Sequence, residues 1–378
     1  MSDNSLPKND FNFNPGALGI PSVEVKSANK QYQLLNTLAS PLHQYENANL
    51  ELEKIREIAF KMWPTELKLT VVHSATTLTT LLSYVLALKN KDKVTVLTSS
   101  HEHKGGIKSF EKLSDYYNIC YFTDDELHSK QLFIKAIERH QPEICFLSHV
   151  MFDTGWILPI SEYGEIIKKN IPKALFIIDI AQSLGLVELP ETKFIDVMFG
   201  STHKWLMGPQ GSGLLWTSEY FRGKVDSIYL EDEDENSGFA ISGGQDFSTY
   251  PQIFQSIKLY EKNGLINIQE VVASFSNIFW SNVQPVFINY GINAQRVNGF
   301  SKFECAPFLV ICFEKYDPYA LYKRMSQSGL HVKCIKNCNI YNNKYHLLRI
   351  GIPYFESEER VKIAVEILKD CLSGISKG

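Results

Sequence analysis

Lys204 lies in a polar turn between two short apolar runs of the sequence. Asp196 to Phe199 precede the turn, and a Gly-Pro-Gln-Gly-Ser-Gly loop after it leads to Leu214. A lysine held on a tight loop can be partly desolvated, and desolvation disfavours its ammonium form. The neutral amine is the form that makes a Schiff base with a carbonyl compound. Most lysines in such turns are simply solvated, so this interpretation depends on residues elsewhere in the chain.

A carboxylate and a group of hydroxyls follow two other apolar runs. Asp179 comes directly after Leu175 to Ile178, and Ala75-Thr76-Thr77 follow the run Lys68 to Val72. Open α/β sheets bind ligands beyond the carboxyl ends of their strands, and a helix N-terminus favours an anion. At this position, Asp179 would keep the ring nitrogen of a bound ligand protonated, and the hydroxyls of the two threonines would bind the phosphate group of that ligand. The alternatives are that Asp179 caps a turn and that the threonines are plain helix N-caps.

An imidazole follows a third run, Val94 to Leu97, within Ser99-Ser100-His101-Glu102-His103. His103 is therefore a candidate to stack on an aromatic ring. Two histidines near one glutamate could hold a metal, but no third ligand with recognisable spacing follows, so we predict no metal site. A Schiff-base lysine, an anion for a ring nitrogen, phosphate donors and a stacking group are what pyridoxal 5'-phosphate requires. The residues together predict this cofactor.

Short β-branched runs alternate with helical patterns over the first two thirds of the sequence. Strands that are apolar on both faces and alternate with helices predict an α/β fold with a mostly parallel sheet. The remainder changes to a smaller α+β lobe. We predict an N-terminal arm with an active-site loop (1–30), a large cofactor-binding domain (31–265) and a small C-terminal domain (266–378).

Composition restricts the partners and the location. The net charge is −4, from 38 Lys and Arg against 42 Asp and Glu, so no global attraction to nucleic acid or an anionic membrane is expected. Seven scattered cysteines fit reduced thiols better than a disulfide scaffold. The sequence has no signal-peptide pattern at its start and no apolar run of transmembrane length. We therefore expect a cytoplasmic protein.

Several of these motifs resemble one family when they are taken in order. The segments that carry the resemblance are Ala75-Thr76-Thr77, Glu102-His103-Lys104, Asp179-Ile180-Ala181-Gln182 and Ser201-Thr202-His203-Lys204-Trp205-Leu206 with Gly208-Pro209. They are similar to the class V aminotransferase family of fold type I pyridoxal phosphate enzymes, which includes cysteine desulfurases, C–S lyases, kynureninases and isopenicillin-N-epimerase-like proteins. Each motif is weak alone, but their order and spacing agree from Asn14 to the C-terminal helix.

The resemblance implies a role for each matched residue. Lys204 would be the aldimine lysine, Asp179 would contact the pyridine nitrogen and His103 the ring face, and these three would be the catalytic residues. Gln182 would lie near the ring hydroxyl. The phosphate would be bound by Ala75, Thr76, Thr77, Ser201 and His203. Such dimers often complete the phosphate site from the other subunit, and Asp246-Phe247-Ser248-Thr249 looks like that segment, so Thr249 is a candidate in a homodimer with its active site at the interface.

Further candidates concern the substrate. Arg349 lies in a segment that resembles the family's carboxylate-binding arginine, whose planar paired donors suit a carboxylate. The alternative is an internal salt bridge. Phe13 and Phe152 are candidates to line the substrate pocket. Cys338 falls where desulfurases carry their sulfur-accepting thiol, and Lys333 and Lys336 would favour its thiolate. The stretch from there to Arg349 is short for the mobile loop of desulfurases, so an incidental thiol is the alternative.

The shared machinery leaves the reaction open. We expect chemistry at the Cα of an amino acid, a small-molecule substrate, with aminotransferase activity first because protonation at the cofactor carbon is its simplest outcome. A cysteine desulfurase or C–S lyase that works by β-elimination is the second choice, and an amino-acid epimerase is a third. A non-catalytic scaffold of the same fold is the competing class.

Overall fold

The computed structural model describes residues 10–37, 39–89, 92–225 and 246–375. The strands are β1 (Phe11–Asn12), β2 (Lys68–Val72), β3 (Val94–Ser99), β4 (Tyr117–Phe122), β5 (Ile144–Ser148), β6 (Leu175–Asp179), β7 (Val197–Ser201), β8 (Gly213–Thr217), β9 (Ala294–Arg296), β10 (Leu309–Phe313), β11 (Leu330–His331), β12 (Lys333–Ile340) and β13 (Asn343–Ile350). The helices are α1 (Val23–Asn36), α2 (Pro41–Met62), α3 (Ala75–Lys89), α4 (Lys104–Lys112), α5 (Asp124–His128), α6 (Lys130–His140), α7 (Ile160–Asn170), α8 (Glu219–Val225), α9 (Thr249–Asn263), α10 (Leu265–Asn289), α11 (Tyr319–Gln327) and α12 (Glu358–Ile375).

The chain divides into two compact units. The large unit comprises residues 21–152 and 157–263, and the small unit comprises residues 1–20, 153–156 and 264–378. Our division into an arm, a large domain and a small domain with boundaries at 30 and 265 stays a prediction.

A seven-stranded sheet forms the centre of the large unit, in the order β2-β8-β7-β6-β5-β3-β4. Only β8 runs antiparallel to its neighbours, β2 and β7. The strands β3, β5, β6 and β7 are buried along most of their length because helices cover the sheet, as their continuous apolar runs predict. The predicted α/β class with a mostly parallel sheet is therefore confirmed.

Local sequence explains where the helices of the large unit begin. Ser40 caps α2 with Pro41 in its first turn, and Thr123 and Glu126 form a capping box at α5. The helical apolar spacing from about Leu50 to Lys61 predicts only the second half of α2, because the first half of this helix is polar and has no apolar period. The Ser40 cap thus separates α2 from α1, and the Thr123 cap ends the short connection from β4 to α5.

The small unit contains a four-stranded antiparallel sheet in the order β12-β13-β10-β9 and a two-stranded parallel pair of β1 with β11. The helices α10, α11 and α12 belong to this unit, and its core is a continuous cluster that includes Phe279, Ile311, Leu348 and Leu368. The predicted strands near Val332 and at residues 346–350 are the two long arms of one hairpin, β12–β13. The predicted smaller α+β lobe is confirmed.

No helix within the described ranges is long and apolar enough to cross a bilayer.

Candidate functional site

Polar residues end four neighbouring strands of the large unit. Ser99 ends β3, Ser148 ends β5, Asp179 ends β6 and Ser201 ends β7. These strands are adjacent and parallel, so their carboxyl ends lie at one edge of the sheet. Ligands of open α/β sheets bind at this edge. The structure thus brings Asp179 and Ser201 to the same edge, as the sequence predicts.

Asp179 is held by the backbone that follows it. Its Oδ1 accepts a hydrogen bond from the amide of Ala181 at 2.7 Å. Burial raises the pKa of this carboxyl group, and the positive charge of Lys204 together with that backbone bond opposes the rise. The Oδ2 atom lies near Gly106, where a Cβ would approach it to 3.7 Å. Asp179 and Lys204 are therefore close enough to interact electrostatically. Because residue 106 is glycine, it has no side chain that would lie beside Asp179 Oδ2.

The turn that carries Lys204 is closed by its own hydrogen bonds. The amide of Gly208 donates to the Thr202 carbonyl at 2.8 Å, and the amide of Met207 donates to the Lys204 carbonyl at 3.1 Å. The Thr202 hydroxyl donates to the Pro209 carbonyl at 3.3 Å. Met207 takes a left-handed conformation with φ 55°, which is unusual for a side chain of its size. These bonds hold Lys204 on a fixed loop.

A second contact explains the glycine that follows the Asp179 segment. Gly185 has φ +88°, and a Cβ there would lie 2.7 Å from the backbone nitrogen of Leu206. Only glycine allows that backbone conformation together with this approach. Nearby, the Gln182 Oε1 accepts a hydrogen bond from the indole of Trp205 at 3.1 Å. The segments after Asp179 and after Lys204 are thus packed directly on one another, while the contact of Gln182 with a ring hydroxyl stays a prediction.

The beginning of α3 presents the donors expected for a phosphate. The Ala75 amide lies 3.4 Å from the Ser201 hydroxyl, to which it donates. Ser74 accepts from the Thr77 amide at 3.1 Å, and the side chains of Thr76 and Thr77 are exposed. Backbone amides and hydroxyls at a helix N-terminus favour an anion. The structure therefore brings Ala75 and Ser201 together at the first turn of this helix.

His203 is half-buried, and its Nδ1 atom has no hydrogen-bond partner within the described part of the chain. Burial, together with the smaller effect of the charge of Lys204, lowers the pKa of its imidazole to about 4. His203 is consequently neutral at pH 7. A buried polar atom without a partner is uncommon in a native structure, which makes this atom a candidate ligand contact.

His103 ends the loop after β3 and caps α4. Its Nδ1 accepts a hydrogen bond from the Gly105 amide at 3.0 Å, so the proton of the neutral ring is on Nε2. Its ring centre lies 5.0 Å from that of Phe152, with the two rings nearly perpendicular. A Cβ at Gly105 would lie 2.6 Å from Thr76 Oγ1. Glycine here lets the His103 turn approach the start of α3.

Thr249 begins α9 and is buried. Its hydroxyl donates to the Asp246 carbonyl at 2.9 Å. Its contribution to the phosphate site of a second subunit stays a prediction.

In the small unit, Arg349 is 3% exposed on β13. Its Nη2 donates to Asn14 Oδ1 at 3.0 Å, and its guanidinium lies 5.9 Å from the ring centre of Phe308. Burial lowers the pKa of Arg349 to about 10, and the negative charge of Asp153 opposes that change. Asn14 and Asp153 are therefore the internal partners of the buried Arg349. A contact of Arg349 with the substrate stays a prediction.

Phe13 has no exposed surface and packs edge-on against Phe11 and Phe279 in the core of the small unit. This placement gives Phe13 a packing role and does not support its expected contact with substrate. The apolar alternation around Asn12 predicts burial of Phe13 equally well.

Cys338 lies on β12, directly after an irregularity in the pairing of this strand with β13. It is buried on β12, pairs with Tyr345 on β13, and its thiol donates to Asp153 Oδ2 at 3.3 Å. The hairpin turns at Tyr341 and Asn342, which both have positive φ. A tight hairpin thus replaces the mobile loop of desulfurases, because the segment is too short for more. Lys336, expected beside the thiol, pairs instead with Asp317 at 3.1 Å.

Sequence reasoning gave no role to four side chains that the structure makes prominent. Glu102 and Ser148 are bonded to each other at the edge that carries Asp179, and Asp153 and Asn14 serve Arg349 and Cys338. An acidic residue three positions after the end of an apolar strand was the available signal for Glu102. Asn14 is 335 positions from Arg349, and nothing in the sequence links the two.

Comparisons with known proteins agree with this architecture. A protein of Bacillus subtilis (strain 168), provisionally named cysteine desulfurase IscS 1, is 26% identical over 253 residues, which are 64% of this chain. That match spans 62% of the relative, less than two thirds of its length. The apo cysteine desulfurase of Thermococcus onnurineus NA1 has a TM-score of 0.75 at 17% identity and covers 99% of this chain and 100% of its own.

A third comparison is with the cystine C–S lyase C-DES in complex with its product cysteine persulfide. It has a TM-score of 0.76 at 16% identity and covers 96% of this chain and 97% of its own. Another structure of that lyase, a lysine-to-alanine variant, holds glycine covalently linked to its pyridoxal phosphate. At such identities the likeness establishes the fold. The family model described as Aminotransferase class-V matches residues 11–232, more than half of the chain. The chain therefore belongs to the class V aminotransferase family of fold type I pyridoxal phosphate enzymes.

Proposed function

We propose that this protein is a pyridoxal phosphate enzyme that breaks the Cβ–S bond of cysteine, cystine or a similar amino acid by β-elimination. The observation that carries the proposal is the interacting pair of Lys204 and Asp179 at the carboxyl edge of the parallel sheet. The cysteine desulfurase and cystine lyase relatives support sulfur chemistry. They favour it over transamination, our first expectation from the sequence.

The side chains present fit pyridoxal phosphate. The buried, unpartnered Nδ1 of His203 lies beside Lys204 in the sequence, and the amide of Ala75 and the hydroxyl of Ser201 meet at the start of α3. These donors suit a phosphate. Asp179 suits the pyridine nitrogen, and His103 suits the face of the ring. The proposed cofactor ligands are Ala75, Thr76, Thr77, His103, Asp179, Gln182, Ser201, His203 and Lys204.

When bound, pyridoxal phosphate supplies an electron sink for negative charge that develops at Cα. The residues around it supply proton transfer and electrostatics. The amine of Lys204 takes the Cα proton and later returns a proton, as general base and acid. Asp179, as an anion, holds the proton on the ring nitrogen. His203 stays neutral at pH 7, so it binds the phosphate by hydrogen bonding without adding charge.

Substrate binding is proposed for Arg349, with Asn14 orienting its guanidinium. An arginine presents paired donors that match a carboxylate in a plane. Phe152, next to His103, is the proposed apolar contact of the substrate side chain.

The surroundings of Cys338 favour a lyase over a desulfurase. A desulfurase needs a protein thiol that reaches the substrate sulfur and then carries it away as a persulfide. Cys338 is itself buried on β12 of a tight hairpin, and its thiol donates a hydrogen bond to Asp153. A thiol with a carboxylate acceptor is stabilised in its protonated form, and the thiolate is the nucleophile. We therefore propose that sulfur leaves without passing through Cys338.

A homodimer in which Thr249 completes the phosphate site of the partner subunit is part of the proposal, as is a cytoplasmic location. Both derive from the sequence and the family resemblance.

Product analysis tests the proposal. The protein, loaded with pyridoxal phosphate, is incubated with cysteine and, separately, with cystine. Elimination converts cysteine and water to pyruvate, ammonia and hydrogen sulfide, and cystine yields pyruvate, ammonia and cysteine persulfide. Alanine with a persulfide on the protein would identify a desulfurase, pyridoxamine phosphate a transaminase, and the D-amino acid an epimerase. A protein that takes up no pyridoxal phosphate would support the scaffold and overturn the proposal.

A further inference from the structure

Glu102 is a carboxylate that the proposed reaction does not use, and it is only 6% exposed. Three donors meet it. The hydroxyl of Ser99 donates to Oε1 at 3.0 Å, the amide of Ser148 donates to Oε1 at 3.0 Å, and the hydroxyl of Ser148 donates to Oε2 at 2.5 Å. Ser99 ends β3 and Ser148 ends β5, so Glu102 ties two neighbouring strands together at the site edge.

The next strand brings Asp179 beside this network. Ser148 and Asp179 are register partners in β5 and β6, and the His149 amide donates to the Asp179 carbonyl at 2.9 Å. Burial raises the pKa of Glu102 to about 7, the hydrogen bonds from Ser148 and Ser99 oppose the rise, and the charge of Asp179 adds to it. Glu102 therefore keeps its proton until near neutral pH.

Glu102 also precedes His103 in the chain. The hydroxyl of Ser99 accepts from the His101 amide at 3.2 Å while it donates to Glu102, so both ends of this short turn are fixed. His103 in turn caps α4 through Gly105. A carboxyl group anchored to β5 thus sets where the imidazole beside it can lie.

We propose that Glu102 is a positioning residue for the cofactor, which holds the His103 turn against β5 and places a second carboxyl group beside Asp179. The proposal rests on the proposed function, because it concerns the cofactor of that site. Glu102 acts through its neighbours: its charge state alters how strongly Asp179 retains the proton of the ring nitrogen. The hydrogen bonds of Glu102 fix the turn. A neutral amide in place of its carboxyl group would lack the negative charge.

Three titratable groups adjoin Glu102 or its hydrogen-bond partners. They are His101, which pairs with Asp124, His149, which follows Ser148, and Asp179 on β6. Lys204 and His203 from the β7 connection are linked to this group through the charge of Lys204, which acts on Asp179 and on His203. Burial holds the pKa of His149 at about 4, and that of His203 lies near the same value, so both are neutral at pH 7. Asp179 is the charge that acts directly on Glu102.

The variant Glu102→Gln tests this role. A glutamine accepts from the Ser148 amide and the Ser99 hydroxyl and donates to the Ser148 hydroxyl, so the turn is kept while the charge is removed. The matched control is Glu143→Gln. Glu143 precedes β5 at the opposite edge of the sheet, where its carboxylate accepts from the Thr95 amide at 2.7 Å.

Two measurements separate the inference from the proposed function. Infrared spectra of the full-length protein without added cofactor should show a protonated carboxyl band that disappears near neutral pH. This band should be missing in Glu102→Gln and present in Glu143→Gln. In the protein loaded with pyridoxal phosphate, the midpoint of the pH-dependent change in the visible band should fall by about one unit in Glu102→Gln alone, because a negative charge that retains protons is lost.

An unchanged midpoint in Glu102→Gln, or an infrared band that persists there, would overturn the inference. An equal loss of cofactor affinity at every pH would also overturn it, because that result identifies a purely structural role. If the wild-type protein develops no visible band with pyridoxal phosphate, the proposed function fails, while the infrared measurement still reports on Glu102.

Discussion

The edge that carries Asp179 and Lys204 in the large unit differs from the Arg349 and Cys338 region of the small unit. In the large unit, His203 and His149 each bury an Nδ1 atom that has no hydrogen-bond partner in the described chain. In the small unit, Arg349 is bonded to Asn14 and Cys338 to Asp153. The two histidines of the first region retain an unsatisfied atom each, whereas the arginine and the cysteine of the second region already have internal partners.

This difference separates two ways to build a site. Buried polar atoms without partners cost folding free energy, and a ligand that supplies the missing partners recovers it. Groups already bonded to each other are pre-organised, and a ligand has to compete with or extend existing contacts. The comparison predicts that changes in the large unit act on cofactor chemistry, whereas changes in the small unit act on substrate binding or only on stability.

The largest effect is expected for Lys204→Ala. Loss of the amine removes the proposed general base, so the rate of pyruvate formation from cystine should fall by at least about 1,000-fold. The matched control is Lys108→Ala, an exposed lysine on α4 that pairs with Glu111. Equal activity of the two variants would show that Lys204 has no part in the mechanism. It would also contradict the comparison between the two regions.

The second prediction concerns the acid stability of the large unit. Burial lowers the pKa of His149 from 6.5 to about 4, so between these values the unfolded chain binds more protons than the folded protein. Stability therefore rises with pH through this range and is complete above about 6.5. This single group accounts for about 3 kcal/mol of the rise.

The variant His149→Asn removes the titration. Its free energy of unfolding should be lower than that of wild type at pH 8, where both are uncharged at this position, yet it should change less on acidification to pH 4. Urea unfolding at a series of pH values measures both quantities. Parallel pH curves for the two proteins would show that His149 does not titrate as its burial requires.

A smaller effect is expected for Arg349→Lys. A lysine keeps the charge and loses the paired donors, so kcat/KM should fall by about 30-fold, which corresponds to about 2 kcal/mol. This fall should come mainly from a higher KM, since the contact with the substrate carboxylate exists both before and during the reaction. Arg139→Lys, on an exposed arginine paired with Glu126, is the control. A lower melting temperature with unchanged kcat/KM would make Arg349 an internal partner only.

The two regions also differ in how far the sequence predicts them. Asp179 and Ser201 are each the last residue of an apolar strand, so the parallel-sheet rule places them at one edge without any knowledge of contacts. Local pattern and a general rule were sufficient to place these two residues, but they did not indicate the bond between Ser148 and Glu102 at the same edge.

The small unit depends on contacts between distant segments. Arg349 and Asn14 meet because β13 and the N-terminal segment are packed in one core, and Cys338 is fixed by its register with Tyr345. Register depends on the whole hairpin, and no local period in the sequence specifies it. The burial of Phe13 in the core of this unit also depends on contacts between distant segments. The sequence therefore suggested a substrate contact for Phe13 instead.

The smallest effect is expected for Cys338→Ala, which bears on whether sulfur passes through the protein. The thiol is buried on β12 and donates to Asp153, so truncation should cost about 1 kcal/mol of stability and leave sulfur release from cystine within about twofold of wild type. Cys371→Ala is the matched control, because Cys371 is a buried free thiol in the core of the same unit. If only Cys338→Ala loses sulfur release by tenfold or more, the hairpin must open to expose the thiol, and the small unit would take part in the chemistry as directly as the large one.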